Sequence, residues 1–508
     1  MAKPQPRQVS AHAWAWVDES GLWGHANSGL ITQGSDALLV NTLHDRRETE
    51  SMLASIGASL PDVRIDRVLL TDSSPHNYWG LGALEGIEPI VSYRAAAKMA
   101  GRISPAETAA IIDSAAPGTP LNRYLHKLFG DFDFADGERF TPAGSFSGRS
   151  GLQVGTEKIE LIEFGSAQAE SNTVVWLPED SVLFTGDLLS PGIHPAVWSG
   201  SLTGWHAACA QLIDLRPQIV VPGHGPVTDT AGLADFRDYL YHLIDQIRLR
   251  FEKGMPAEEA AVDVPLDQWE HWGHRENLAV TVGAVYRELA AENSTSYSAV
   301  MTLAAEIDSG RRRRPRIHPQ DSDRFDATPA GEAYAKTASQ SLNGLLADRP
   351  APNVIRTIAN HPGLLTAIQP LIAHVAGDDL GARERELVIL RTAWRSQAQY
   401  IWAHHHSAGL FVGLSETEIA RVASEDTSEW TPFERALVVA VDELHTDSVL
   451  SEGTWKQLAE RYGKEQLLEL LALTGTYKTL ALILNSSFTP FDSWMEDPAI
   501  LPDAPRRG

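Results

Sequence analysis

The sequence predicts an α+β multidomain chain: a layered α/β domain in the first half and an all-α domain in the second. Three observations carry this. At 508 residues the chain exceeds one ordinary domain. Short apolar runs with strand character alternate with helical spacing up to about residue 290, as layered α/β architectures require. From Asp326 onward the apolar residues recur at helical spacing almost without interruption. A hydrophobic content of 43% with 21% charged residues is that of a folded globular protein. The net charge of −24 argues against nucleic acid and anionic membrane as partners. One cysteine, Cys209, excludes an internal disulfide, a Cys-x-x-Cys redox pair and a cysteine-rich zinc site. With a polar N-terminus and no apolar run of about 20 residues, a soluble cytoplasmic protein is expected.

In the first half, Gly29–Thr32 and Ala37–Val40 read as strands paired around Gly34-Ser35-Asp36. Arg46 to Leu60 has helical spacing, with Leu53 and Ile56 on one face. Val68–Thr71 and Pro89–Ser92 read as further strands. The loop Asp72-Ser73-Ser74-Pro75-His76-Asn77 follows the first of these and concentrates polar, chemistry-bearing side chains. Trp79 and Trp198 sit beside candidate site loops, so either they pack in the core or they wall an aromatic pocket.

Four segments resemble the metallo-β-lactamase fold: the 72–77 loop with Gly80 after it, Phe164-Gly165-Ser166-Ala167-Gln168, the strand and loop Val182-Leu183-Phe184-Thr185-Gly186-Asp187, and Val221-Pro222-Gly223-His224-Gly225. The resemblance implies an αββα sandwich over residues 9–291. It also implies that Asp187 and His224 stand in ligand positions. Asp72, Ser74 and Asn77 fall where that family carries histidines, His76 where it carries aspartate, and Gln168 where it carries another histidine. A neutral amide is a poor ligand for zinc. Three readings stay open. The site is a retired scaffold; or His76, Asp187 and His224, with Asp72, hold a single divalent ion (Zn, Fe or Mn); or the same residues act without metal, a histidine as base and Asp187 as its orienter. His194, which precedes Pro195 in the loop after Asp187, is expected to face the same pocket as Trp79, Gln168 and Trp198.

Residues 292–325 are expected to form a linker, with the polar stretch Asn293-Ser294-Thr295 and the basic run 310–316. Residues 326–496 then read as helices, among them Ala382–Trp394, Trp402–Phe411, Ser415–Val422, Pro432–Leu444 and Lys464–Leu484. Ser415 with Glu418 makes a capping box, and Thr431 precedes Pro432 at a helix start. The segments Arg383–Leu390, Gln399–His405, Asp442–His445 and Gly475–Tyr477 resemble the carboxymuconolactone decarboxylase and alkylhydroperoxidase-like family. That likeness implies a homo-oligomer and places His405 in the family histidine position, with Glu386 as partner and Tyr400 or Tyr477 as donors. Ala398 and Ile401 stand where peroxidase members carry cysteines, which excludes thiol-based peroxide reduction. Asp442 and His445, one turn apart, are positioned to pair.

The functional expectation is a small-molecule enzyme running non-redox proton-transfer chemistry: isomerisation, cyclisation, decarboxylation, or lactone or ester hydrolysis. The alternative is a non-catalytic binding or scaffold protein built from two retired enzyme domains.

Overall fold

The computed structural model describes residues 4–18, 22–117, 119–134, 140–290, 296–310, 312–338, 349–377, 379–492, 494–495 and 501–502. The chain divides into two compact units, Met1–Arg312 and Arg313–Gly508. The first holds a six-stranded sheet in the order β1 (Pro6–Gln8), β2 (Ala13–Trp16), β3 (Ser28–Gln33), β4 (Asp36–Val40), β5 (Arg64–Leu69), β6 (Pro89–Ile90). A five-stranded sheet follows, built from β7 (Arg149–Val154), β8 (Glu157–Phe164), β9 (Asn172–Leu177), β10 (Val182–Gly186) and β11 (Ile219–Pro222), with order β11-β10-β9-β8-β7. β4, β5 and β6 pair in parallel, as do β10 and β11; the other neighbours are antiparallel.

Side-chain alternation along the strands builds the layers. Ile31, Leu38, Val40 and Leu69 of the first sheet share a core with Leu161, Val175, Leu177, Phe184 and Val221 of the second. Their strand neighbours Leu30, Leu39 and Val68 turn the other way and pack with Met52, Ile56 and Met99 of helices Arg46–Ser59 and Tyr93–Ala100. Val174, Trp176, Leu183 and Val220 turn outward beneath helices Leu202–Asp214, Thr230–Glu252 and Leu278–Ala290. The result is helix, sheet, sheet, helix, with β9 buried along its whole length.

The expected linker is partly helical. Tyr297–Asp308 forms a helix whose Ala304, Ala305 and Ile307 join the core of the first unit. Those three apolar residues at helical spacing outweigh the polar residues around them. Asn293, Ser294, Thr295 and Arg311 lie outside the described residues.

In the second unit, helix Ala382–Arg395 packs against Gln399–Phe411, Pro432–Thr446 and Lys464–Ser487. Arg391 is fully buried and is matched by Asp442, whose oxygens lie 2.8 and 2.6 Å from its Nε and Nη2. Asp442 also takes Arg395 Nε at 2.6 Å, so it serves both arginines. Helix Lys464–Ser487 is long and apolar enough to cross a membrane by length and composition. Leu470, Leu473, Leu480 and Leu484 on it belong to the buried core of the unit.

The loops that follow β5, β10 and β11 meet at one end of the sandwich. Gly223 permits the closest approach: a Cβ there would stand 2.6 to 2.8 Å from the Gly186–Asp187 backbone. Its N–H donates to Gly186 O at 2.8 Å, and its own carbonyl accepts from Asn27 N at 2.7 Å. The buried Asn27 side chain completes the clamp, with Nδ2 donating to Pro222 O at 2.9 Å and Gly225 O at 2.8 Å. Asn27→Ala strands two carbonyls in the interior. A loss of about 2 to 3 kcal/mol in unfolding free energy is expected, measured by urea denaturation with an unchanged m value.

Candidate metal centre

Asp187 emerges from the end of β10 and is 3% exposed. Its Oδ2 lies 2.9 Å from His76 Nε2 and its Oδ1 lies 3.4 Å from His224 Nε2. The two rings stand edge to face, with centroids 4.9 Å apart. His224 Nδ1 donates to the carbonyl of His25 at 3.1 Å, which leaves Nε2 to face Asp187. Asn77 Nδ2 donates to Asp187 Oδ1 at 3.2 Å and to both oxygens of Asp72, at 3.2 and 3.0 Å.

Burial pushes the Asp187 carboxyl up, but the charges and hydrogen bonds of His76 and His224 outweigh it and hold the group well below the usual carboxylate range. Burial pulls the His76 ring down; the neighbouring Asp187 and Asp72 more than offset this, and its affinity for a proton rises. Asp72, by contrast, is pushed up by burial and by the charge of Asp187.

His76, Asp187 and His224 present one ligand atom each within 4.8 Å of one another. Two imidazoles with a carboxylate are a proper donor set for zinc. The residues therefore fit one divalent ion. They do not fit two. Asp72 is consumed inside its own loop, accepting from Thr71 Oγ1 at 2.7 Å and Ser74 N at 2.7 Å besides Asn77. That corrects the expectation of Asp72 as a ligand. Gln168 Oε1 faces Asn172 Nδ2 at 3.4 Å.

The expected pocket residues separate. Trp79 stays close to the site, 5.4 Å from the ring of buried His44, which itself lies 6.1 Å from His76. Phe132 and Phe134 close around His44 at 4.2 and 5.7 Å. Burial, then the nearby His76 and His25, hold His44 well below its ordinary value and so neutral. No motif in the sequence points to either His25 or His44. Trp198 stacks on Tyr297 at 5.7 Å, a partner from the expected linker. His194 is not a pocket residue: it is fully buried, with Nδ1 2.6 Å from Tyr239 Oη and its N–H donating to Gly273 O.

In the second unit, His405 Nδ1 lies 2.7 Å from Glu386 Oε2, and Tyr477 meets the His405 ring edge-on at 5.0 Å. Glu386 is 1% exposed. Tyr400 does not join them. It donates to Asp492 Oδ2 at 2.6 Å, an oxygen that also lies 2.7 Å from His404 Nε2.

Residues 102–224 match the family model of the metallo-β-lactamase superfamily, a stretch that takes in Asp187 and ends at His224 but begins after the 72–77 loop. No curated protein matches the chain significantly. Similar solved structures include a metallo-β-lactamase from Pontibacter korlensis, 19% identical over 47% of this chain and 99% of that one, with a TM-score of 0.37. The DIM-1 metallo-β-lactamase, in a structure exposed to ceftazidime, is 17% identical over 47% of this chain and 97% of its own, with a TM-score of 0.36. For TMB-1 the identity is 16%, the coverage 47% and 98%, and the TM-score 0.35. The first unit thus contains a metallo-β-lactamase superfamily domain at residues 102–224.

His194 generates a pH test. Burial lowers its pKa from 6.5 to about 3. A ring neutral when folded but protonated when unfolded contributes stability that is complete above about pH 6.5 and is lost as pH falls from there toward 3. The melting temperature of the wild type is expected to fall more steeply from pH 6.5 to pH 4 than that of His194→Gln, followed by circular dichroism at both ends of that window.

Proposed function

We propose that the first unit is a hydrolase of small esters or lactones that works with a single divalent ion. The observation that supports this most is the convergence of His76 on Asp187 and His224, two residues of the stretch that matches a hydrolytic superfamily. An ion held there, zinc, iron or manganese, supplies Lewis acidity toward a carbonyl oxygen. The remaining work belongs to the chain. Asp187 is oriented by the Asn77 amide, which is itself anchored on Asp72. The carbonyl of His25 fixes the His224 tautomer. The neutral His44 ring, with Trp79, Phe132 and Phe134, gives a dry wall on the His76 side and keeps bulk water from the polar cluster.

A second reading places metal-free proton transfer, such as isomerisation or decarboxylation, in the helical unit. The buried Glu386 against His405 at 2.7 Å favours it, since a carboxylate so placed orients an imidazole. The likeness to the carboxymuconolactone decarboxylase-like family rests on residues alone. An oligomer built through this unit is supported by Leu468 and Leu482, each 65% exposed and spaced about four turns apart on one helix face.

A panel of chromogenic esters and lactones separates these readings. With the zinc-loaded protein, His224→Ala is expected to lower kcat/KM by on the order of 100-fold or more, while His405→Gln leaves it unchanged. Chelation should abolish turnover and added zinc restore it. Loss in His405→Gln alone favours the second reading. No turnover of any substrate by the wild type favours the scaffold alternative.

A further inference from the structure

A second group of metal-type ligands lies at the opposite end of the sandwich. His12 stands just ahead of β2, Glu157 opens β8, and Asp180 sits in the turn between β9 and β10. The five residues of β10 separate Asp180 from Asp187, roughly 17 Å of strand. His12 Nδ1 lies 3.1 Å from Asp180 Oδ1 and 3.6 Å from Glu157 Oε2. One ligand atom from each of the three falls within 4.8 Å of the others.

The independent sign of a ligand is Glu157. Its side chain is 3% exposed, yet its Oε1 has no hydrogen-bond partner, and the nearest cation to its Oε2 is the half-buried His12 ring. A buried carboxylate with unmet oxygens costs several kcal/mol unless a cation or proton answers it. Asp180, meanwhile, is arranged as a ligand. Its Oδ2 is held by Ser10 Oγ at 2.5 Å and by the His12 backbone N–H at 3.0 Å, which turns Oδ1 toward the cluster. The separations of 3.1 and 3.6 Å bracket the ~3.3 Å edge of a tetrahedral zinc site.

We propose that His12, Glu157 and Asp180 form a structural zinc-class cation site that fastens the N-terminal strands to the second sheet. His12 adjoins the six-stranded sheet and the two carboxylates adjoin the five-stranded one, so an ion here joins the two layers at the end away from Asp187. Nearby, Gln33 Nε2 of β3 donates to Thr156 Oγ1 of the β7–β8 turn at 3.0 Å, a further tie between the two sheets. The site is remote from the candidate catalytic centre and stands or falls independently of it.

The test is anomalous scattering at the zinc edge from crystals of the full chain, dialysed beforehand against zinc-buffered solution, for the wild type and Glu157→Gln. The expected result is a peak between His12, Glu157 and Asp180 in the wild type that is missing in Glu157→Gln. In solution, bound zinc should fall by one ion per chain in Glu157→Gln. His12→Gln serves as the second variant should Glu157→Gln not fold. A peak at Asp187 alone overturns the inference and leaves the hydrolase reading intact. A peak at His12 alone does the reverse, and no peak at either overturns both.

Discussion

One buried carboxylate organises the first unit. Asp187 sits at the end of β10 with almost no access to water, and an isolated charge in such a place is expensive. It is tolerated because three donors from two other loops converge on it: His76 and Asn77 from the chain after β5, His224 from the chain after β11. Those loops are held in turn by Asn27, Thr71 and Gly223, whose hydrogen bonds and close backbone contacts bring the ends of the two sheets together. The sandwich can therefore be viewed as a frame that delivers three ligand atoms to one point.

The loop after β5 explains how the centre differs from a two-metal arrangement. Asp72 turns inward and becomes a hub for Thr71, Ser74 and Asn77. Asn77, which the resemblance places where a histidine would be, spends its amide bridging Asp72 to Asp187. The loop thus braces the buried Asp187 carboxylate. The network links both loops, with Asn77 Oδ1 left buried and without a hydrogen-bond partner.

Much of the fold was legible because the signals were local. The helices of the second unit carry apolar spacing and caps at Ser415 and Thr431, and the structure reproduces them to within a few residues. The same kind of signal at Ser104-Pro105 with Glu107, and at Thr119-Pro120, marks helices Pro105–Ser114 and Pro120–Phe129, which the sequence reading passed over. The triad His76, Asp187, His224 was accessible because two of its members sit in motifs that follow strands. His194 misled for the opposite reason. It is close to Asp187 in sequence, but the chain turns beneath helix Thr230–Glu252 and seats it on Tyr239. His25, His44 and the far-end trio of His12, Glu157 and Asp180 meet partners distant in sequence, and only the fold brings them together.

The central claim is that His76, Asp187 and His224 hold one metal ion. The direct measurement is zinc stoichiometry by elemental analysis in a Glu157→Gln background, which silences the far-end cluster. The account expects about one ion per chain there and none once Asp187→Asn is added, with the fold retained by circular dichroism. Retention of the ion in the double variant, or no ion in Glu157→Gln at all, would contradict it.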